Sequence, residues 1–175
     1  MVAIIVFFYL LLALLGIVLT VWRGVSGIAF DAFAPPSDAW MLPLGASIAM
    51  VLGVHVFFLY AVKRWEIFIK SAQDIRNWLG DLSDTEIFVV SMSSAFGEEL
   101  FFRGWLLNEV GLVVSSIVFG IVHLPPNRNW YNWPVFAALM GVWLGAICIW
   151  TDTLAYAVAI HAGINFLNLH RMILR

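Results

Sequence analysis

An ionisable cluster lies inside a stretch of this sequence that is otherwise apolar enough to cross a membrane. The stretch runs from Ile87 to Leu107, and it contains Glu98, Glu99 and Arg103. One Asp, Lys or Arg at the centre of a membrane-spanning helix costs about 2.5 to 3.5 kcal/mol on insertion scales. Such residues persist where they pair with one another or perform a function. This cluster is therefore the first candidate for a functional site.

The composition indicates an integral membrane protein. Hydrophobic residues make up 63% of the chain and charged residues only 11%, far below the roughly 25% that is usual in soluble domains. The formal net charge is −2, and no basic cluster extends beyond one connection, so nucleic acid is not an expected partner. The single cysteine, Cys148, permits no internal disulfide. We expect the lipid bilayer to surround most of the chain.

The apolar segments predict an all-α fold, a polytopic membrane helical bundle with about six transmembrane helices. A crossing of about 30 Å of hydrocarbon needs roughly 20 apolar residues, although the fourth segment is shorter. We expect residues 1–175 to form a single integral-membrane domain. The first segment has no basic residue before it and no clear cleavage site, so it is predicted to be a span and not a signal peptide. The six segments are Val2–Trp22, Met41–Val62, Ile87–Leu107, Leu112–Leu124, Trp133–Trp150 and Leu154–Leu169.

The connection between the second and third segments predicts an amphipathic helix on the cytoplasmic membrane interface. Its apolar residues recur at helical spacing between charged ones, and Gly80 is a plausible end. Ser83 followed by Glu86 has the spacing of a capping box, so the third span is predicted to begin near Ser83. The pair Pro125-Pro126 ends the fourth span abruptly, and the loop that follows is predicted to dip into the membrane.

The distribution of Lys and Arg predicts that both termini are cytoplasmic. The connections on the side of the termini carry seven such residues, whereas the opposite side carries Arg23 alone. Arg103 lies within a span and does not enter this comparison.

Helical spacing predicts different roles for the two adjacent glutamates. Glu99 and Arg103 are four residues apart, so their side chains can pair along one face of the helix. Glu98 is rotated by about 100° from Glu99 and is left free. A carboxylate in a dry cavity is a candidate general base or general acid.

Three further polar residues are predicted to face the same cavity. His161 and Asn165 are four residues apart in the sixth span, and His123 closes the fourth. Together with Glu98, these groups can activate a water molecule and donate hydrogen bonds to a developing oxyanion. These groups are sufficient for the hydrolysis of an amide.

Two other interpretations stay open at this stage. Glu98, His123 and His161 are a legitimate zinc-ligand set for a metalloprotease, although no HExxH motif is present. Alternatively, the polar residues hold together a non-catalytic immunity or scaffold protein by interhelical bonds.

His55, isolated in an apolar span, is interpreted as a core histidine with a satisfied hydrogen bond. Gly141 and Gly145 form a GxxxG motif that predicts close helix packing.

Three short motifs resemble those of the CPBP (Abi) family of membrane proteins. They are EELFFR at Glu98–Arg103, FGIVH at Phe119–His123 and HAGIN at His161–Asn165. In order and on successive helices, they are similar to the EExxxR, FxxxH and HxxxN motifs of that family. The family contains the type II CAAX prenyl endopeptidases and proteins linked to bacteriocin processing and immunity. The resemblance covers roughly residues 86–169, which are predicted to form the catalytic core.

The resemblance implies an intramembrane glutamic-type endopeptidase with no cofactor. By the motif positions, Glu98 and His123 activate water, while His161 and Asn165 form the oxyanion site. Glu99, Arg103 and Phe119 are implied as supporting residues. The implied substrate is a membrane-anchored or C-terminally tagged protein, cleaved in CAAX-type or sorting-tag processing. The implied location is the inner membrane of a bacterium. The CAAX endopeptidases typically have eight spans, and nothing in residues 1–85 resembles them.

Overall fold

A computed structural model describes residues 1–24, 40–124 and 132–173, and in these ranges the chain is helical with short connections. The predicted all-α fold is confirmed. The elements are α1 (Val2–Trp22), α2 (Met41–Arg64), α3 (Glu66–Leu79), α4 (Asp84–Glu99), a π-helical segment (Leu100–Leu106), α5 (Leu107–Val122), α6 (Asn132–Thr151) and α7 (Ala155–Ile173).

Four helices are long and apolar enough to cross a membrane, which makes the protein an integral membrane protein. They are Val2–Trp22, Met41–Arg64, Asp84–Val122 and Asn132–Thr151. All six predicted segments are helical, but α7 is less apolar than these four because it carries polar side chains along its length. The number of six crossings therefore remains a prediction.

The third of these helices is a hairpin and not a single crossing. Its 39 residues would measure about 58 Å at 1.5 Å per residue, roughly twice the hydrocarbon thickness. Gly111 interrupts it with φ 79° and ψ 173°, a conformation that glycine adopts readily. Phe119 then returns to Phe102, with ring centroids 4.8 Å apart. The predicted third and fourth spans are thus the two antiparallel limbs of one α4–α5 hairpin.

The local signals around α3 and α4 behave as the sequence predicts. The amphipathic helix covers Glu66–Leu79 and ends at Gly80, whose φ is 70°. The capping box is formed, because Ser83 Oγ accepts from the backbone N–H of Glu86 and the Glu86 carboxylate accepts from that of Ser83. The location of α3 at a membrane interface remains a prediction. The predicted re-entrant loop after Leu124 lies outside the described residues.

Glycines set the closest helix contacts. A Cβ on Gly97 would lie 2.6 Å from the carbonyl oxygen of Tyr9, and one on Gly16 would lie 2.7 Å from that of Leu100. Helix α1 therefore crosses α4 and the π-helical segment in backbone contact, directly beside Glu98. In the predicted GxxxG motif, a Cβ on Gly141 would lie 3.0 Å from the Cα of Ser116, which confirms close packing of α6 on α5.

The helix ends fall into two groups at opposite ends of the bundle. At one end, a core cluster joins the starts of α1, α4 and α6 to α3 and to the end of α7. The cluster and its apolar neighbours include Val2, Leu79, Leu82, Ile87, Trp133, Met172 and Ile173. At the other end, Arg23 pairs with Glu109, and the Tyr156 hydroxyl donates to the carbonyl of Trp40. Both ends of the described chain therefore lie on the same side, which we predict to be cytoplasmic.

Candidate active site

The three charged residues of the first motif are buried inside the bundle. Glu98 is 6% exposed, Arg103 is 4% exposed and Glu99 is fully buried. They lie at the end of α4 and in the π-helical segment that continues it. Short π-helical turns within α-helices occur frequently at functional sites. Burial of this kind requires partners for the charges, and direct hydrogen bonds supply them for Arg103 and for one oxygen of Glu99.

Glu99 is held by two donors on one oxygen. Arg103 Nη1 donates to Glu99 Oε1 over 2.8 Å, which confirms the predicted pairing. His161 Nδ1, from α7, donates to the same oxygen over 2.7 Å. Arg103 also donates through Nη2 to the carbonyl of Gly141, 3.3 Å away. Its guanidinium carbon lies 4.3 Å from the ring centroid of Phe119, so a cation–π contact completes its surroundings.

Glu98 presents one oxygen to two imidazoles. Its Oε2 lies 3.7 Å from Nε2 of His123 and 3.7 Å from Nε2 of His161. Within the described residues, this oxygen is buried and has no direct hydrogen-bond partner. Separations of 3.7 Å exceed a direct hydrogen bond, but a water molecule beside these atoms can donate one hydrogen to Glu98 and the other to an imidazole.

The partners of the two imidazoles assign their neutral tautomers. His123 Nδ1 is 2.6 Å from the carbonyl oxygen of Phe119, which can only accept, so Nδ1 carries the proton. His161 Nδ1 faces the Glu99 carboxylate in the same way. In each neutral ring Nε2 is then an acceptor, and both acceptors face Glu98. The backbone of α5 and the carboxylate of Glu99 therefore orient the two rings.

The charges of the cluster do not balance with full ionisation of the acids. Glu98 and Glu99 bring two negative charges, and Arg103 brings the one permanent positive charge. A neutral cluster therefore needs one further proton, on a carboxyl group or on an imidazole.

Asn165 lies in the same cavity, although its nearest partner was not predicted. Its Nδ2 donates to Ser94 Oγ over 3.0 Å, and Ser94 in turn donates to the carbonyl of Ser91. The cavity measures about 570 Å³ and is lined mainly by apolar side chains. Its polar groups include Glu98, His123, His161 and Asn165. The predicted catalytic residues thus share one cavity, and His161 bridges towards both glutamates.

Two contacts outside the motifs complete the description. Tyr9, in α1, lines the same cavity as Glu98 and packs against Gly97, and sequence reasoning missed it. No local pattern could have found it, because the contact joins distant parts of the chain. His55 Nδ1 lies 3.0 Å from Asn168 Oδ1, so its hydrogen bond is satisfied as predicted, although the residue is only partly buried.

Glu98, His123 and His161 are the candidate zinc ligands. Among the described residues, no group of three His, Cys, Asp or Glu side chains has an arrangement suited to a metal ion. The three side chains nevertheless approach one point, so the zinc interpretation is decided by the chelation experiment below.

The fold and the site define a class, which is an integral membrane protein with a buried acid–base cluster in a helical bundle. A model of the family described as Type II CAAX prenyl endopeptidase Rce1-like matches residues 85–167. Residues 85–167, just under half of the chain, thus resemble the CPBP family, which contains the type II CAAX membrane proteases. The segment contains the α4–α5 hairpin, α6 and most of α7. Comparisons with curated proteins and with solved structures gave no match.

Proposed function

We propose that the protein is a glutamic-type intramembrane endopeptidase in which Glu98 activates the attacking water. The observation that carries this proposal is the convergence of three groups. Glu98 Oε2 lies 3.7 Å from Nε2 of both His123 and His161, in a buried cavity. A water molecule there can donate to the carboxylate and to an imidazole acceptor at the same time.

The proposed reaction moves one proton through Glu98. Glu98 accepts a proton from water as the water oxygen bonds to the carbonyl carbon of the scissile amide. His123 Nε2 orients this water by accepting its other hydrogen. When the tetrahedral intermediate collapses, the C–N bond breaks and Glu98 returns the proton to the leaving nitrogen. Glu98 is then ionised again, and the two products are a carboxylic acid and an amine.

The negative oxygen of the intermediate requires donors. Asn165 Nδ2 has two N–H groups, and Ser94 Oγ occupies one of them. The other is available to the oxyanion. His161 can donate from Nε2 only as an imidazolium, because its neutral ring places the proton on Nδ1 towards Glu99. In this proposal Glu99 and Arg103 hold His161 and the hairpin in place, and Phe119 supports Arg103.

Asn165→Ala is expected to lower kcat by about 10²- to 10³-fold and to change KM little. This is the pattern of a lost oxyanion donor, which acts on the transition state more than on the ground state. The measurement is steady-state proteolysis by the purified variant in detergent or vesicles.

Ser94→Ala serves as the matched control for Asn165. It removes the hydroxyl that Asn165 contacts while it leaves the amide in place, so a smaller loss in kcat is expected. A rise in KM with unchanged kcat for Asn165→Ala would identify a substrate-binding residue. No effect at all would mean that the amide serves only helix packing.

The purified enzyme is expected to keep its activity in strong chelators. The reason is that Glu98 and His123 supply the activation of water without a metal ion. Activity is measured before and after chelation, together with the zinc content. Loss of activity that zinc alone restores would favour a metalloprotease with Glu98, His123 and His161 as ligands.

We propose that the substrate is a membrane-anchored or C-terminally tagged protein. The cavity supports this assignment because apolar side chains line most of it, so the bound segment is expected to be apolar.

We also propose the inner membrane of a bacterium as the location, with both termini in the cytoplasm. The catalytic core is proposed to be residues 86–169. If the protein were a non-catalytic scaffold, replacement of its buried polar residues would lower the folded yield, and there would be no proteolytic activity to lose.

A further inference from the structure

We propose that Tyr9 in α1 is a positioning residue for Glu98, a role that rests on the proposed function. The phenol donates a hydrogen bond to one carboxylate oxygen and so holds the other oxygen towards the imidazoles. Tyr9 lies outside the segment that matches the family model. In this view, α1 supplies part of the site that the α4–α5 hairpin and α7 otherwise form.

Backbone packing fixes the place of Tyr9 beside the acid. A Cβ on Gly97 would lie 2.6 Å from the carbonyl oxygen of Tyr9 and 3.0 Å from its Cβ. Because Gly97 has no side chain, α1 can approach the residue that directly precedes Glu98. Gly16 forms a second contact of this kind with the backbone of Leu100. Two backbone contacts on one helix leave little freedom for α1 to move relative to Glu98.

The side chain of Tyr9 reaches the cavity from this position. Both Tyr9 and Glu98 line it, and the phenol is close enough to the carboxylate for the two groups to interact electrostatically. Glu98 Oε2 has no hydrogen-bond partner among the described residues, and it is the atom that faces His123 and His161. Oε1 is then the acceptor that we assign to the Tyr9 hydroxyl.

Glu98 needs such a partner because its terminal torsion is soft. The last torsion of a glutamate has a broad, roughly two-fold energy profile, so an unrestrained carboxylate presents its oxygens in many orientations. His123 and His161 are each fixed through Nδ1. A base at 3.7 Å from both rings works only if it is fixed to a similar degree. Tyr9 provides that restraint from the opposite side.

The test is Tyr9→Phe in the full-length protein, with Tyr156→Phe as the matched control. The first variant keeps the ring and removes only the hydroxyl, so we expect kcat to fall by about 10- to 100-fold, the range for one hydrogen bond to a charged group. KM should stay within about twofold of wild type, and the melting temperature should be unchanged. Tyr156 also loses a hydroxyl that bonds to a backbone carbonyl, but it is not among the residues that line the cavity, so the activity of this variant should be unchanged.

Three results would overturn the role of Tyr9. They are an unchanged kcat for Tyr9→Phe, a rise in KM without a loss in kcat, and a loss of activity that is accompanied by a lower melting temperature. Glu98→Gln is assayed in parallel to separate the two proposals. If Glu98→Gln is inactive while Tyr9→Phe is fully active, only the role of Tyr9 is wrong. If Glu98→Gln remains active, both the proposed function and the role of Tyr9 are wrong.

Discussion

Glu98→Gln is expected to lower the rate of proteolysis by at least about 10²- to 10⁴-fold, the range for loss of a general base. Glutamine keeps the size of the side chain but cannot accept the proton of the attacking water. Glu98 Oε2 has no direct hydrogen bond within the described residues, and its imidazole neighbours, His123 and His161, lie 3.7 Å away, so its replacement breaks no close contact at this oxygen. The variant should therefore accumulate normally in the membrane. Cleavage of a reporter substrate and the amount of membrane-inserted protein are measured together.

Glu66→Gln is the matched control for the loss of a carboxylate. Glu66 is exposed on α3, where it pairs with Lys70, and it lies outside the cavity. The same chemical change at that position should leave cleavage unchanged. Cleavage by Glu98→Gln at the wild-type rate would show that water is activated by another group.

The sequence predicts the helices well because the signals for them are local. Hydropathy locates every apolar segment, and the Ser83 capping box and Gly80 mark where α4 begins and α3 ends. The reversal at Gly111 also falls in the gap between the predicted third and fourth spans. The π-helical form of Leu100–Leu106 was not predicted, since no residue pattern distinguishes it from a regular turn.

The site is predictable only where its contacts follow helical spacing. The Glu99–Arg103 pair follows directly from the i, i+4 relation. The bonds from His161 to Glu99 and from Asn165 to Ser94 join residues more than 60 positions apart. They depend on how α7 packs against α4, and a single sequence contains no local record of that packing. The role of Tyr9 could not be predicted for the same reason, because it depends on how α1 packs against α4.

The two adjacent glutamates have different surroundings, which separates their expected functions. Glu99 is fully buried and its Oε1 accepts from both Arg103 and His161. Glu98 faces the cavity through an oxygen with no direct partner among the described residues. Substitution of Glu98 should therefore affect chemistry first, whereas substitution of Glu99 should affect stability first. The comparison of the two glutamine variants tests this division directly.

Glu99→Gln is expected to destabilise the protein by about 3 to 5 kcal/mol and to lower its folded yield as well as its activity. The reason is that Arg103, only 4% exposed, keeps its charge but loses its counter-ion. A buried charge without its partner is strongly unfavourable, whereas removal of both charges is often close to neutral. The double variant Glu99→Gln/Arg103→Gln should therefore recover much of the stability lost in either single variant. Folded yield and resistance to thermal unfolding are measured for all three.

The exposed pair Glu66–Lys70 provides the comparison for Glu99→Gln. It has the same i, i+4 spacing and a separation of 2.7 Å, but its side chains are 79% and 53% exposed. Because water and salt screen such pairs, Glu66→Gln should leave stability close to that of the wild type. Equal yields for Glu98→Gln and Glu99→Gln would contradict the division of functions. A double variant less stable than both single variants would show that Glu99 and Arg103 stabilise the bundle through other contacts, such as those with His161 and Phe119.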